Sequence, residues 1–112
     1  MGDVLSADES NPRVKVLRAF AAQRPQDPFP RYGLAMELKG TGDLQGARAA
    51  FDSLITEHPD YIASYAPAGE VLVALGQADD ARAVYAKGIE ACTRKNDAHM
   101  RGNLEDALAA LD

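Results

Sequence analysis

Apolar residues recur at three- and four-residue intervals through most of the chain, which is the spacing of helices that bury one face. Proline, glycine and acidic residues interrupt this pattern where helices would begin or end. The pattern predicts helices over residues 11–24, 28–39, 44–57, 78–94 and 96–112. A further helix is predicted to end near Leu75.

The beginning of that further helix is ambiguous because Pro67 lies within its apolar pattern. If the helix begins at Tyr61, Pro67 removes an internal hydrogen bond and kinks it. If Ser64 is the N-cap, Pro67 falls in the first turn, where proline is tolerated. We favour an irregular first turn there.

The chain contains an internal repeat, because a shift of 34 residues aligns 31–58 with 65–92. The identical pairs are Leu38/Leu72, Gly42/Gly76, Ala47/Ala81, Arg48/Arg82, Ala49/Ala83 and Ile55/Ile89. These positions fall in a turn and on the surfaces where two antiparallel helices would touch. The repeat therefore predicts a helix–turn–helix unit present in two full copies.

The unit resembles the tetratricopeptide repeat (TPR), which has the same period and the same helix–turn–helix form. The resemblance rests on small and large apolar residues at matching positions, which we expect to pack helix against helix. These repeat-packing residues are Leu34, Ala35, Leu38, Ala47, Phe51, Tyr65, Gly69, Leu72, Ala81 and Tyr85. Arg31 replaces the usual aromatic residue, and Thr93 replaces the closing proline. The second departure predicts an outer helix that continues past the usual stop.

The resemblance implies an all-α fold in which antiparallel helix–turn–helix repeats stack in a short right-handed superhelix, an α-solenoid of about six helices. We expect a flexible lead-in over 1–10 and a single TPR-like domain over 11–112. Within the domain, the predicted parts are an N-terminal half-repeat helix (11–26), repeat 1 (27–60), repeat 2 (61–95) and a C-terminal capping helix (96–112). The flanking helices cover the ends of the two full repeats.

Composition narrows the classes of function. The 12 basic and 17 acidic residues give a net charge of -5, which argues against nucleic acid as a partner. The longest apolar run is residues 71–75, far short of a membrane span, so no membrane is predicted. Gly2 fits a loose myristoylation pattern, but Asp3, Asp8 and Glu9 would repel an anionic surface. We expect a cytoplasmic protein.

One helical face has no packing role once the packing residues are assigned. On 28–40, the side opposite Leu34 and Leu38 carries aromatic residues and a methionine, and the equivalent side of repeat 2 carries small residues with one carboxylate. The resemblance places the ligand groove on this inner, concave face. The predicted partner-binding residues are Phe29, Tyr32, Met36, Ala66, Glu70 and Val73.

These residues predict a non-catalytic module that binds an apolar peptide or helix, with Glu70 meeting a lysine or arginine of the partner. The family's clamp for C-terminal carboxylates uses Lys, Asn and Arg on this face, where Tyr32, Met36 and Ala66 stand here, so that ligand is not expected. The alternative is a structural subunit that forms a homodimer through the same apolar face.

An enzyme or enzyme regulator is a weaker hypothesis. His58 and His99 are the two histidines, and each lies near a predicted helix end. Cys92 is the single cysteine and has no dedicated histidine partner, so an intrachain disulfide and Cys-x-x-Cys sites are excluded. No catalytic residue, metal ligand or cofactor is predicted.

Overall fold

The computed structural model describes residues 11–112, a range that contains no β-strand. It forms six α-helices and one short 3-10 helix, which confirms the all-α helical repeat fold. The elements are α1 (Pro12–Gln23), α2 (Pro28–Gly40), α3 (Leu44–Glu57), the 3-10 helix (Ile62–Ser64), α4 (Tyr65–Ala74), α5 (Ala78–Lys95) and α6 (Ala98–Ala109). The predicted lead-in over 1–10, with its myristoylation pattern, lies outside the described residues.

Short acidic or amide side chains begin four of the helices. The Asn11 side chain accepts hydrogen bonds from the backbone N–H groups at the start of α1, and Asp27 does so at the start of α2. Asp43 and Asp97 cap α3 and α6 in the same way. Each cap satisfies N–H groups that have no partner within the helix, so the sequence fixes these helix starts locally.

The same tight turn follows α2, α4 and α5. The backbone is left-handed at Gly42 (φ 87°), Gly76 (φ 77°) and Asn96 (φ 58°). A backbone N–H after each of these residues bonds to a carbonyl five residues earlier, which is a Schellman-type ending. These bonds are Asp43 N to Leu38 O (3.0 Å), Gln77 N to Leu72 O (2.8 Å) and Asp97 N to Cys92 O (2.9 Å). The repeat is therefore visible in backbone geometry as well as in sequence.

The chain enters α4 through the 3-10 helix, so the expected irregular turn is present and Pro67 lies in the first turn of α4. Ser64 occupies the N-cap position of α4. Its hydroxyl donates to the Tyr61 carbonyl oxygen (2.8 Å) and makes no capping bond. Ser64 is fully buried, and the nearby carbonyl is the acceptor that its hydroxyl uses there.

The buried residues form two apolar clusters, one centred on α2 and α3 and the other on α4, α5 and α6. Ile55 and Val84 pack against both clusters, so the stack has a continuous interior. Every residue expected to pack helix against helix is buried. Leu104 on α6 is also fully buried, and the Arg82 guanidinium donates to the Leu111 carbonyl oxygen (2.8 Å). These contacts hold α6 against α5.

Glycine allows the helices to approach closely at two points. A Cβ atom at Gly69 of α4 would overlap the Tyr85 ring of α5. A Cβ atom at Gly88 of α5 would lie 2.7 Å from atoms of both Tyr65 and Leu104. The close packing therefore depends on the missing side chains. No helix within 11–112 combines the length and the apolar character needed to cross a bilayer.

Candidate partner-binding face

Two contacts join α2 to the next helix pair, one to the connection before α4 and one to the middle of α4. The rings of Tyr32 and Tyr61 are 5.5 Å apart, centroid to centroid, and tilted by 58°. The Lys39 Nζ atom lies 3.1 Å from Glu70 Oε1. Since the first contact is near the start of α2 and the second near its end, α2 and α4 lie side by side and run in the same direction. We call the surface carrying Phe29, Tyr32, Met36, Ala66, Glu70 and Val73 the α2–α4 face.

Exposure is uneven across the α2–α4 face. Phe29 is 67% exposed and Val73 is 43% exposed, which is unusual for large apolar side chains. Tyr32 and Met36 are half-buried and pack against the first apolar cluster, although the sequence left them without a packing role. Ala66 is half-buried against the second cluster. The structure therefore leaves Phe29 and Val73 as the apolar side chains available at this surface.

Glu70 is exposed, but its carboxylate has a partner within the chain. The expectation was an open carboxylate for a partner's basic group, whereas the Lys39 ammonium occupies that role here. The reason is the parallel approach of α2 and α4, which brings two surface side chains from different repeats together. An exposed pair of this kind contributes about 0–1 kcal/mol, so a competing cation displaces it at small cost.

Tyr61 belongs to the α2–α4 face although the sequence reasoning missed it. Burial raises the pKa of its hydroxyl, with smaller contributions from Tyr32 and Asp27. Tyr32 lies on a predicted helix with a clear apolar side, whereas Tyr61 lies in the connection before α4. Its aromatic side chain next to Pro59 and Asp60 was the available signal, but only the fold places it beside Tyr32.

The candidate reactive residues Cys92, His58 and His99 have different surroundings. Burial raises the pKa of the Cys92 thiol, with Asp97 adding to the effect, so the thiol stays protonated near neutral pH. The His58 Nε2 atom lies 3.4 Å from the Pro25 carbonyl oxygen, and His99 is exposed. Within 11–112, no three or more His, Cys, Asp or Glu side chains are grouped as metal ligands would be.

Comparison with known proteins identifies the repeat. The sequence profile of the tetratricopeptide repeat matches residues 38–91. The solution structure of a tetratricopeptide repeat domain protein from Salinibacter ruber is 34% identical, with a TM-score of 0.74 over 79% of this chain and 89% of that chain. A crystal structure of a tetratricopeptide repeat domain protein from the same organism is also 34% identical, with a TM-score of 0.71 over 76% and 94%.

The crystal structure of MamA shares the fold alone, at 19% identity and a TM-score of 0.64 over 88% of this chain and 64% of that chain. No curated protein sequence matches at a significant level. The matching profile, the identity to the Salinibacter ruber protein and the stacked helix pairs agree with one another. The chain therefore belongs to the tetratricopeptide repeat family, whose repeats form protein-interaction modules.

Proposed function

We propose that the chain binds a peptide or helix of a partner protein on the α2–α4 face, without catalysis. The observation that carries this proposal is the 67% exposure of Phe29, three residues before Tyr32, whose ring lies against that of Tyr61. An exposed phenylalanine gains free energy when a ligand removes it from water. Aromatic side chains with few rotatable bonds are also the common anchors of protein interfaces.

The chemistry of the face defines the ligand. Phe29 and Met36 favour an apolar side chain, since methionine adapts its shape to what it contacts. Val73 adds a second apolar contact, and the small Ala66 side chain lets a ligand backbone approach α4. A lysine or arginine of the partner takes the place of Lys39 beside Glu70. The preferred ligand is therefore an apolar segment with one basic residue.

The binding module has two full repeats and two flanking helices, as the sequence predicts. The helix pairs α2–α3 and α4–α5 serve as the two full repeats, within 27–60 and 61–95, while α1 and α6 flank them. The protein acts in the cytoplasm, where the free and buried Cys92 is compatible with reducing conditions.

The test is affinity capture from a lysate of the source organism, followed by measurement of the affinity of each recovered partner. The variant Phe29→Ser/Val73→Ser removes the two exposed apolar side chains without opening the core. We expect roughly tenfold weaker binding or more, because two apolar contacts are lost. The matched control Val16→Ser/Phe20→Ser alters exposed apolar residues on α1 and should leave this binding unchanged. Equal binding by wild type and the Phe29→Ser/Val73→Ser variant would refute the assignment.

The homodimer alternative is tested with the same variants. Sedimentation equilibrium over a range of concentrations gives the oligomeric state. A dimer that Phe29→Ser/Val73→Ser abolishes would replace the partner hypothesis with self-association through the α2–α4 face. A monomer at every concentration supports the proposal.

A further inference from the structure

The two ends of the described stack have different outer faces. At the α6 end, the outward residues are polar, including Arg101, Asn103 and Glu105, as expected where a repeat array meets water. At the α1 end, Val16 is 53% exposed and Phe20 is 45% exposed, one helical turn apart. Helix α1 packs mainly against α2, so its opposite side has no neighbouring helix within 11–112.

The exposed apolar side of α1 is a shallow, open surface. Pro12, Arg13, Val16 and Leu17 line an open space of about 420 Å³. At about 100° per residue, Pro12, Val16 and Phe20 follow one another along the outward side, whereas the fully buried Val14 points to the core. This arrangement gives α1 a second apolar stripe in addition to the one that it buries.

Basic residues flank this stripe. Residues 11–26 contain Arg13, Lys15, Arg18 and Arg24 and no acidic residue. On the helical projection, Lys15 borders one side of the stripe and Arg13 borders the other, while Arg24 follows the end of α1. Arg13 is 79% exposed, with its Nη1 atom 3.9 Å from Glu37 Oε1. In contrast, residues 27–112 contain eight basic and fourteen acidic residues, so the positive charge is concentrated at α1.

We propose that this α1 outer face, formed by Pro12, Val16, Phe20 and the basic residues beside them, binds an acidic amphipathic helix of a partner protein. An incoming helix lies against α1 where a further helix of the stack would lie. Its apolar residues cover Val16 and Phe20, and its carboxylates meet the basic borders. Charge complementarity selects an acidic ligand and speeds its association. This second surface is separate from the α2–α4 face.

A second copy and an anionic membrane fit the charges less well. A second copy docking α1 against α1 would bring two helices together that carry three basic residues each and no acidic residue. An anionic membrane would attract α1 but repel residues 27–112, in which acidic residues predominate. Two large apolar side chains also give little surface to insert into a bilayer. An acidic helix satisfies both the apolar stripe and its basic borders.

The experiment measures binding of the full chain to a synthetic amphipathic helix of about 18 residues, with Leu on one face and Glu elsewhere. A matched peptide carries Lys in place of each Glu. Fluorescence anisotropy should show binding of the Glu peptide with a Kd below about 1 mM, and binding of the Lys peptide weaker by about tenfold or more. The interaction should also weaken at about 0.5 M salt, because screening reduces charge attraction.

Two protein variants localise the binding. Val16→Ser/Phe20→Ser should weaken binding of the Glu peptide by about tenfold or more, because both side chains leave the contact. Phe29→Ser/Val73→Ser is the matched control on the α2–α4 face and should leave it unchanged. Circular dichroism checks that both variants keep the helix content of the wild type. The two proposals can fail separately. Binding can be absent at the α1 outer face and present at the α2–α4 face, or present at the first and absent at the second.

Several outcomes would overturn the proposal: no binding by wild type, equal binding of the Glu and Lys peptides, or equal binding by wild type and Val16→Ser/Phe20→Ser. A dimer that this variant abolishes would assign the face to a second copy. Binding to vesicles of anionic lipid but not to the Glu peptide would assign it to a membrane. Binding that appears only after Asp3→Asn/Asp8→Asn/Glu9→Gln would assign it to the chain's own acidic residues.

Discussion

Gly69 lies where α4 passes closest to α5, with the Tyr85 ring against its Cα atom. The ring is buried, and burial raises the pKa of the Tyr85 hydroxyl, with Glu70 adding to the effect. A tyrosine at this position fills the space between the helices only if its neighbour has no side chain. The glycine and the aromatic residue are therefore one packing feature contributed by two helices.

The variant Gly69→Ala should lower the free energy of unfolding by about 1–3 kcal/mol, because the added methyl group forces the Tyr85 ring or the helices apart. Urea unfolding followed by circular dichroism measures this change. Gly40→Ala is the matched control, since a Cβ atom at Gly40 meets nothing within 4 Å. The control should change the free energy by less than about 1 kcal/mol. If the urea midpoint of Gly69→Ala equalled that of the wild type, the close approach of α4 to α5 would be contradicted.

A second residue-scale feature is the Arg31 guanidinium, whose Nη1 atom lies 2.7 Å from Glu57 Oε2 and 3.2 Å from Ser53 Oγ. Arg31 occupies the position where the repeat usually has an aromatic residue. Its bond to α3 replaces aromatic packing with a charged hydrogen bond. This hydrogen bond holds the pKa of Glu57 below its ordinary value of 4.5.

Because the pKa of Glu57 is lower in the folded chain than in the unfolded chain, its contribution to stability is complete above about pH 4.5. The contribution is lost as the pH falls through the folded-state pKa. In Arg31→Met, the pKa of Glu57 should rise towards 4.5, as measured by NMR titration of the carboxyl carbon. The control Arg101→Met removes the partner of Glu105 and should leave the pKa of Glu57 unchanged. The same Glu57 pKa in wild type and Arg31→Met would show that the bond does not persist in solution.

At the scale of helices, local residues explain most boundaries. Asp43 begins α3, and Gly42 and Gly76 supply the left-handed backbone of the turns, so these positions were readable from sequence. Helix α2 extends one residue further than expected, to Gly40, whereas α6 is shorter than expected and spans Ala98–Ala109 where 96–112 was predicted. Ser64 holds the N-cap position of α4, but its burial by neighbouring helices decides what its hydroxyl bonds to.

The capping of α6 gives a prediction at this scale. The Asp97 carboxylate accepts from the Met100 backbone N–H (2.9 Å), and that donor has no partner within the helix. Asp97→Ala should lower the free energy of unfolding by about 1 kcal/mol. Asn103→Ala, at an exposed position in α6, should leave it nearly unchanged. Thermal and urea unfolding measure both variants, and equal stabilities would show that the cap does not hold α6.

For the whole molecule, stacking makes each helix depend on its neighbours. Helix α4 contacts helices on both sides, whereas α1 packs mainly against α2. Ile55 and Val84 join the two apolar clusters in the middle of the stack. Repeat arrays of this kind are stabilised by the contacts between adjacent units.

Hydrogen exchange should reveal this gradient. Backbone amides of α1 should exchange faster than those of α4 and α5, because local opening of α1 breaks contacts on one side only. Exchange followed by mass spectrometry resolves the helices. The Glu peptide should slow exchange in α1 selectively if it covers the α1 outer face. Equal protection of α1 and α4 in the free chain would contradict the one-sided packing.

The sequence by itself determined the helices, their 34-residue period and the residues buried between them. These properties depend on local capping and on a spacing that repeats along the chain. Tertiary structure decided which surface residues meet across repeats: Lys39 with Glu70, and Tyr32 with Tyr61. It also decided that Phe29 stays exposed while Met36 is half-buried. Such pairings depend on the angle and offset between stacked helices, which many distant side chains set together and no local pattern records.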